Sequence, residues 1–284
     1  MSKKTQFKIK NVLNNNVIVA VNLENDQEMV VISKGIGFES RNKKVIELKK
    51  DEINETYITY QSDLQKEFSQ LLNQLDSEVM GLGEEIIAKA EKDLGPMSDH
   101  IHIALTDHIG FAIERLEKGM EINNPFLEET KVLYNDEYEV ALDAVDMVKD
   151  RLGIQLPESE AGFIAMHLHA ARENKEVSDT VRNTTLIKDL VDFVEEQLDI
   201  SLNPGSLSYR RLINHFRFSL NRLRKGKKVE NPFLDNIEEN FNESYNLAKK
   251  IANKIEDRLD YEVSENEVGF IALHLKRLKE YEVE

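Results

Sequence analysis

The chain has 284 residues, no cysteine and a formal net charge of −16, which excludes disulfides, thiolate metal centres and a cysteine nucleophile. Its longest apolar runs are far too short to cross a bilayer, and the lysines of MSKKTQFKIK precede no apolar signal core, so a cytoplasmic protein is expected. Residues 1–56 hold ten Lys and Arg against eight Asp and Glu, a balance of +2, while the remainder holds 27 against 45, or −18; nucleic-acid contacts, which rely on cations, are therefore expected only from the small first segment.

That segment reads as strands. Phe7 to Leu13, Val17 to Val21, Met29 to Ile32 and Val45 to Leu48 are short and rich in Val and Ile, and turn-forming clusters separate them. The expectation is a four-stranded antiparallel meander, which is too small to be comfortably stable alone and so should dimerise face to face. The first turn, NNN at Asn14 to Asn16, has one asparagine more than a hairpin needs. The extra amide points to a use beyond turning the chain.

From Asp63 onward apolar residues recur at three- and four-residue spacing between Glu and Lys, the pattern of amphipathic helices. This helical region is an internal repeat. His108 and His215, Arg115 and Arg222, the NPFL tetrapeptides at Asn124 and Asn231, Arg151 and Arg258, the GFIA tetrapeptides at Gly162 and Gly269, and His167 and His274 all stand 107 residues apart. The predicted architecture is thus a small all-β domain over 1–56, a linker over 57–62, and two homologous all-α helical bundles over 63–174 and 178–284. Ser264 and Glu267 form a candidate capping box at the start of the last helix.

Four of the seven histidines, His108, His167, His215 and His274, occupy repeated positions. Each falls on a largely apolar helical stripe, so a hydrogen-bonded core histidine is the plain alternative to a functional one. Zinc is not expected, because a two-residue spacing such as His167 and His169 turns about 200° around a helix and points the rings apart. No activated serine or glycine-rich phosphate loop is present, so neither an enzyme nor a cofactor is expected. The remaining option is phosphorylation of the imidazoles, which adds between about one and a half and two negative charges.

Taken together, VLNNNV, SKGIGF, LTDHIGFAIERL, NPFLEETK and PESEAGFIAMHLHAA resemble the transcriptional antiterminators of the BglG, SacY, LicT and GlcT group, over essentially the whole chain. The resemblance implies a β-sheet domain that dimerises on a hairpin in nascent leader mRNA and stops a terminator from folding. It also implies two phosphotransferase-system regulation domains, phosphorylated by a sugar permease (enzyme II) on His108 or His167 and by the phosphocarrier HPr on His215 or His274. RNA contacts are carried to Asn14, Asn15 and Asn16 and to Lys34, Gly35 and Phe38. Those residue types suit RNA recognition, since amides offer donor and acceptor together, lysine meets phosphate, glycine allows close approach, and an aromatic ring stacks on bases. The alternative is that Phe38 is core and the asparagines only shape a hairpin. Asn11 and Lys34 depart from the lysine and arginine that many members carry there. KGIGF and NPF incline towards the glucose-type branch. A phosphotransferase-regulated scaffold without RNA binding, or a DNA-associated regulator, is the competing class.

Overall fold

The computed structural model describes residues 4–49, 55–59, 62–120, 122–227, 229–259 and 261–282. All four expected strands are present: β1 (Lys4–Val12), β2 (Val17–Asn22), β3 (Gln27–Ile32) and β4 (Val45–Lys49). A fifth, β5 (Glu55–Thr59), joins them from the stretch that the sequence assigns in part to the linker; the linker's residues 60 and 61 lie outside the described residues. The sheet is antiparallel in the order β4-β1-β2-β3-β5. It is therefore not a meander. The segment that follows β3 winds into the short helix α1 (Ile36–Ser40), and the next strand, β4, pairs with β1 rather than with its predecessor.

Alternation along the strands explains why VIVA and MVVI read as unbroken apolar runs. Successive side chains face opposite ways, and here both faces are covered. Ile18, Ala20, Met29 and Val31 pack with Phe7, Ile36 and Ile46, while Val17, Val19, Val30 and Ile32 pack with Phe68, Leu71 and Met80. The latter three lie on α2 (Ser62–Gln74) and α3 (Ser77–Leu94). The partner that the small sheet needs is thus supplied within the chain, by the first helices that follow it, rather than only by a second copy.

The helical region continues with α4 (Ile101–Glu117), α5 (Leu127–Leu133), α6 (Asn135–Leu152) and α7 (Glu158–Arg172). The second repeat comprises α8 (Val177–Leu198), α9 (Leu207–Arg224), α10 (Leu234–Asn240), α11 (Asn242–Leu259) and α12 (Glu265–Glu282). Two compact units result, one of residues 1–125 and 136–180, the other of 126–135 and 181–284. The second unit thus takes α5 from the first repeat: the Tyr209 hydroxyl of α9 donates to the Glu129 carboxylate at 2.7 Å, and Arg217 donates to the Leu133 carbonyl at 3.0 Å.

Ser264 caps α12 in one direction only. The Glu267 N–H donates weakly to the Ser264 hydroxyl at 3.4 Å, but the Glu267 carboxylate turns inward to Arg222 and Ser219, so the reciprocal half of the expected capping box is given up to a partly buried ion pair.

Candidate RNA-contact surface and histidine pairs

The asparagine turn and the KGIGF segment lock into one surface. Asn14 Oδ1 accepts from the Asn16 N–H at 2.8 Å, an Asx turn, and Asn16 Oδ1 accepts from the Gly35 N–H at 3.0 Å. Backbone bonds tie the same segments: the Ser33 N–H donates to the Asn16 carbonyl and the Gly37 N–H to the Asn15 carbonyl, each at 2.9 Å. Gly35 has φ +79°, a left-handed angle that glycine adopts without strain. Gly37, which sequence reasoning passed over, is required for a different reason: a Cβ there would fall 1.8 Å from the Asn14 carbonyl oxygen.

Phe38 is not core. Its side chain is 73% exposed beside exposed Lys34 and Asn15, so an apolar ring and a cation stand in solvent next to the amides. This overturns the alternative that buried Phe38 and is the combination that single-stranded bases recognise by stacking and phosphate contact.

The amides themselves are less available than a strand-connecting turn suggests. Glu85 of α3 accepts from Asn14 Nδ2 at 2.8 Å and from Asn16 Nδ2 at 3.4 Å, and Arg151 of α6 donates to its second oxygen at 2.7 Å. One turn earlier, Gly81 leaves room for the Asn14 side chain, since a Cβ there would lie 2.5 Å from Asn14 Nδ2. The first helical bundle therefore holds the turn by its asparagine amides. Glu85, Gly81 and Arg151 carry no RNA signature, and only the repetition of Arg151 at Arg258 singled one of them out.

The repeated histidines come together in pairs. His108 of α4 and His167 of α7 have ring centroids 4.7 Å apart, and His215 of α9 stacks on His274 of α12 at 3.9 Å. Among the described residues, His167 Nδ1 and His215 Nε2 are buried without a hydrogen-bond partner, unlike the hydrogen-bonded core histidines of the plain alternative. His108 Nε2 lies 3.2 Å from a Glu160 oxygen without hydrogen-bond geometry, and the other Glu160 oxygen accepts from Arg115 at 2.7 Å. Among the described residues no group of three or more His, Asp or Glu is placed to hold a metal ion.

Burial sets their protonation. Desolvation, and then the neighbouring histidine, pushes both His167 and His215 down to about 3, and His274 is lowered by desolvation and then by Arg277 and Arg211. The rings of His167, His215 and His274 are therefore neutral at physiological pH and each keeps a lone pair on nitrogen. His102 is the opposite case: burial alone would lower it, but the Glu84 carboxylate 2.8 Å away raises it overall.

These shifts make stability depend on pH. A histidine whose folded value is depressed stabilises fully above the unfolded value of about 6.5 and loses that contribution as pH falls, by on the order of 2 kcal/mol each at pH 5. His102, being raised, loses nothing over that window. Urea unfolding at pH 7.5, 6 and 5 should show falling stability, and His167→Gln with His215→Gln should flatten the decline.

A model of the CAT RNA binding domain matches residues 7–66, and a model of the PRD domain matches twice, over 84–171 and 188–278. Transcription antiterminator LicT of Bacillus subtilis (strain 168) is 35% identical over 276 residues, covering 96% of this chain and 99% of its own length. The chain belongs to this family of transcription antiterminators. The PtsGHI operon antiterminator of the same organism is 36% identical, covering 96% of this chain and 97% of its own. Among solved structures, the crystal structure of GlcT CAT-PRDI matches with a TM-score of 0.50 and 40% identity, over 58% of this chain and 98% of that one. The family is one of regulators, not enzymes. No helix among the described residues of this antiterminator is long and apolar enough to cross a membrane.

Proposed function

We propose that this antiterminator acts in the cytoplasm, where its sheet domains pair as a dimer on a hairpin in nascent leader mRNA and keep the terminator from folding. Asn14, Asn15, Asn16, Lys34, Gly35 and Phe38 make the RNA contacts. The observation that carries this is the interlocked turn pair, with Asn16 fixing Gly35 and Phe38 standing in solvent. Phosphorylation at His108 or His167 by a sugar permease (enzyme II) disfavours the RNA-binding dimer, and phosphorylation at His215 or His274 by the phosphocarrier HPr favours it. The 40% identity with the GlcT fragment supports a glucose-type sugar response.

The conformation described is the resting one in this scheme, since Glu85 occupies the amides that RNA would engage. The test is a gel shift of the full chain on the leader RNA upstream of a sugar-permease gene, with and without Asn16→Ala. Losing both a recognition amide and the bond to Gly35 should weaken binding by about tenfold or more. Absence of binding by the parent chain in every phosphorylation state would favour the scaffold reading instead.

A further inference from the structure

The two histidine pairs are alike in geometry and opposite in electrostatic surroundings. Beside His215 and His274 lies a cavity of about 730 Å³, open to Arg210 and Arg211, and His274 also borders a second recess that Arg211 and Arg277 line. Among the described residues no carboxylate lies within ion-pair distance of Arg210, Arg211 or Arg277, whereas Arg222 is fully engaged by both oxygens of Glu267. His215, 7% exposed, lines the cavity, and its buried Nε2 has no hydrogen-bond partner. The cavity and the recess, which share Arg211 and His274, therefore present three guanidinium groups without a carboxylate partner among the described residues, and one unpartnered ring nitrogen.

At the 107-residue offset, the first repeat has Ile103, Ala104 and Ala170 in place of the three arginines, and Asp107 in place of Asn214. Its ring nitrogen at His108 faces the Glu160 carboxylate at 3.2 Å. The same carboxylate in the second repeat is drawn away by Arg222 and by Ser219, which is Ala112 in the first.

We infer that the cavity beside His215 and His274, together with the recess that shares Arg211 and His274 with it, is a receptor for a phosphoryl dianion, clamped by Arg210, Arg211 and Arg277, and that the first repeat has no counterpart. Guanidinium forks match phosphoryl oxygens in geometry and charge, while a dianion placed on His108 beside Glu160 is repelled. If the anion is attached to a ring, as the proposed function has it, the sign of each switch is set here: phosphorylation tightens the second repeat and strains the first. A free phosphoryl anion would satisfy the same chemistry.

The experiment treats the full chain with phosphoramidate. A neutral ring nitrogen forms its N–P bond as the N–P bond of the donor breaks, and ammonia leaves. Phosphohistidine in each repeat is followed by mass spectrometry and 31P NMR, together with its hydrolytic lifetime, in the parent chain and in Arg211→Gln/Arg277→Gln. These two arginines are solvent-exposed, so the variant should fold. The second-repeat phosphohistidine should outlive that of the first by about tenfold, and the double variant should remove the difference, as expected for loss of one or two charge-assisted bonds. Equal lifetimes unaffected by the variant would overturn the receptor while leaving histidine phosphorylation intact. If no histidine in either repeat takes the group, the phosphorylation reading fails separately, and inorganic phosphate decides the receptor. A rise in unfolding temperature with phosphate that the double variant abolishes would assign the site to a free anion, and no rise would overturn it.

Discussion

Glu85→Ala raises the affinity of the unphosphorylated full chain for its leader RNA by about tenfold to a hundredfold. In the structure the Glu85 carboxylate accepts a 2.8 Å bond from Asn14 and longer ones from Asn16, and Arg151 holds it in place. A hydrogen bond to a charged group contributes about 1.5–3 kcal/mol, and RNA that uses the same amides must first displace it. Removing the carboxylate removes that competition and leaves the Asx turn and the Gly35 bond untouched. Fluorescence anisotropy with labelled hairpin RNA reads the change directly. The apolar packing of Val17, Val19, Val30 and Ile32 on α2 and α3 is unaffected, so the gain should come without loss of fold. An unchanged affinity would show that the sheet domain leaves α3 before it meets RNA, or that the amides are not the contacts.

Arg115→Ala destabilises the first unit by about 3–5 kcal/mol, the usual cost of leaving one member of a buried ion pair without its partner. Glu160 is 1% exposed and Arg115 7%, and the guanidinium bond to Glu160 spans α4 and α7 at 2.7 Å. Without it, the carboxylate faces only His108, whose nearer nitrogen is 3.2 Å away. Replacing both residues by methionine should recover most of the loss, because no buried charge then remains. Thermal unfolding of the three chains, parent, single and double, separates this from a simple packing defect, which the double variant would deepen.

Much of this architecture was legible from spacing. A constant 107-residue offset divides the helical region into two copies without any fold knowledge, and the same offset pairs His108 with His215 and His167 with His274. Alternation and turn clusters placed four of the strands within a few residues, and three- and four-residue spacing marked the region from Asp63 onward as helical. The strand order was not legible, because SKGIGFES reads as a loop, and only its winding into α1 explains how β4 comes to lie against β1. Nor was β5, which falls in a stretch of mixed composition.

Among the functional residues, the asparagine turn announces itself by excess, since a hairpin needs fewer amides than are present. Glu160 and Glu267 could have been found by the same repeat arithmetic that found the histidines. Glu85, Gly81 and Gly37 could not, because each matters through a neighbour distant in the sequence: a carboxylate 71 residues from its amide partner, or a missing Cβ that another segment's backbone requires.

Residue type and period are local properties, and they sufficed to class this protein: a near-neutral β segment with surplus amides, and a duplicated acidic helical region with paired histidines. What those parts do to one another came from the folded arrangement. It brought Glu85 onto the asparagine turn, put Phe38 in solvent rather than in the core, brought the histidines together in pairs, and set one pair against a carboxylate and the other beside arginines that have no carboxylate partner among the described residues. Hydrogen bonds and Coulomb forces act over a few ångströms of space, so their sign and strength depend on which distant segments the fold makes neighbours.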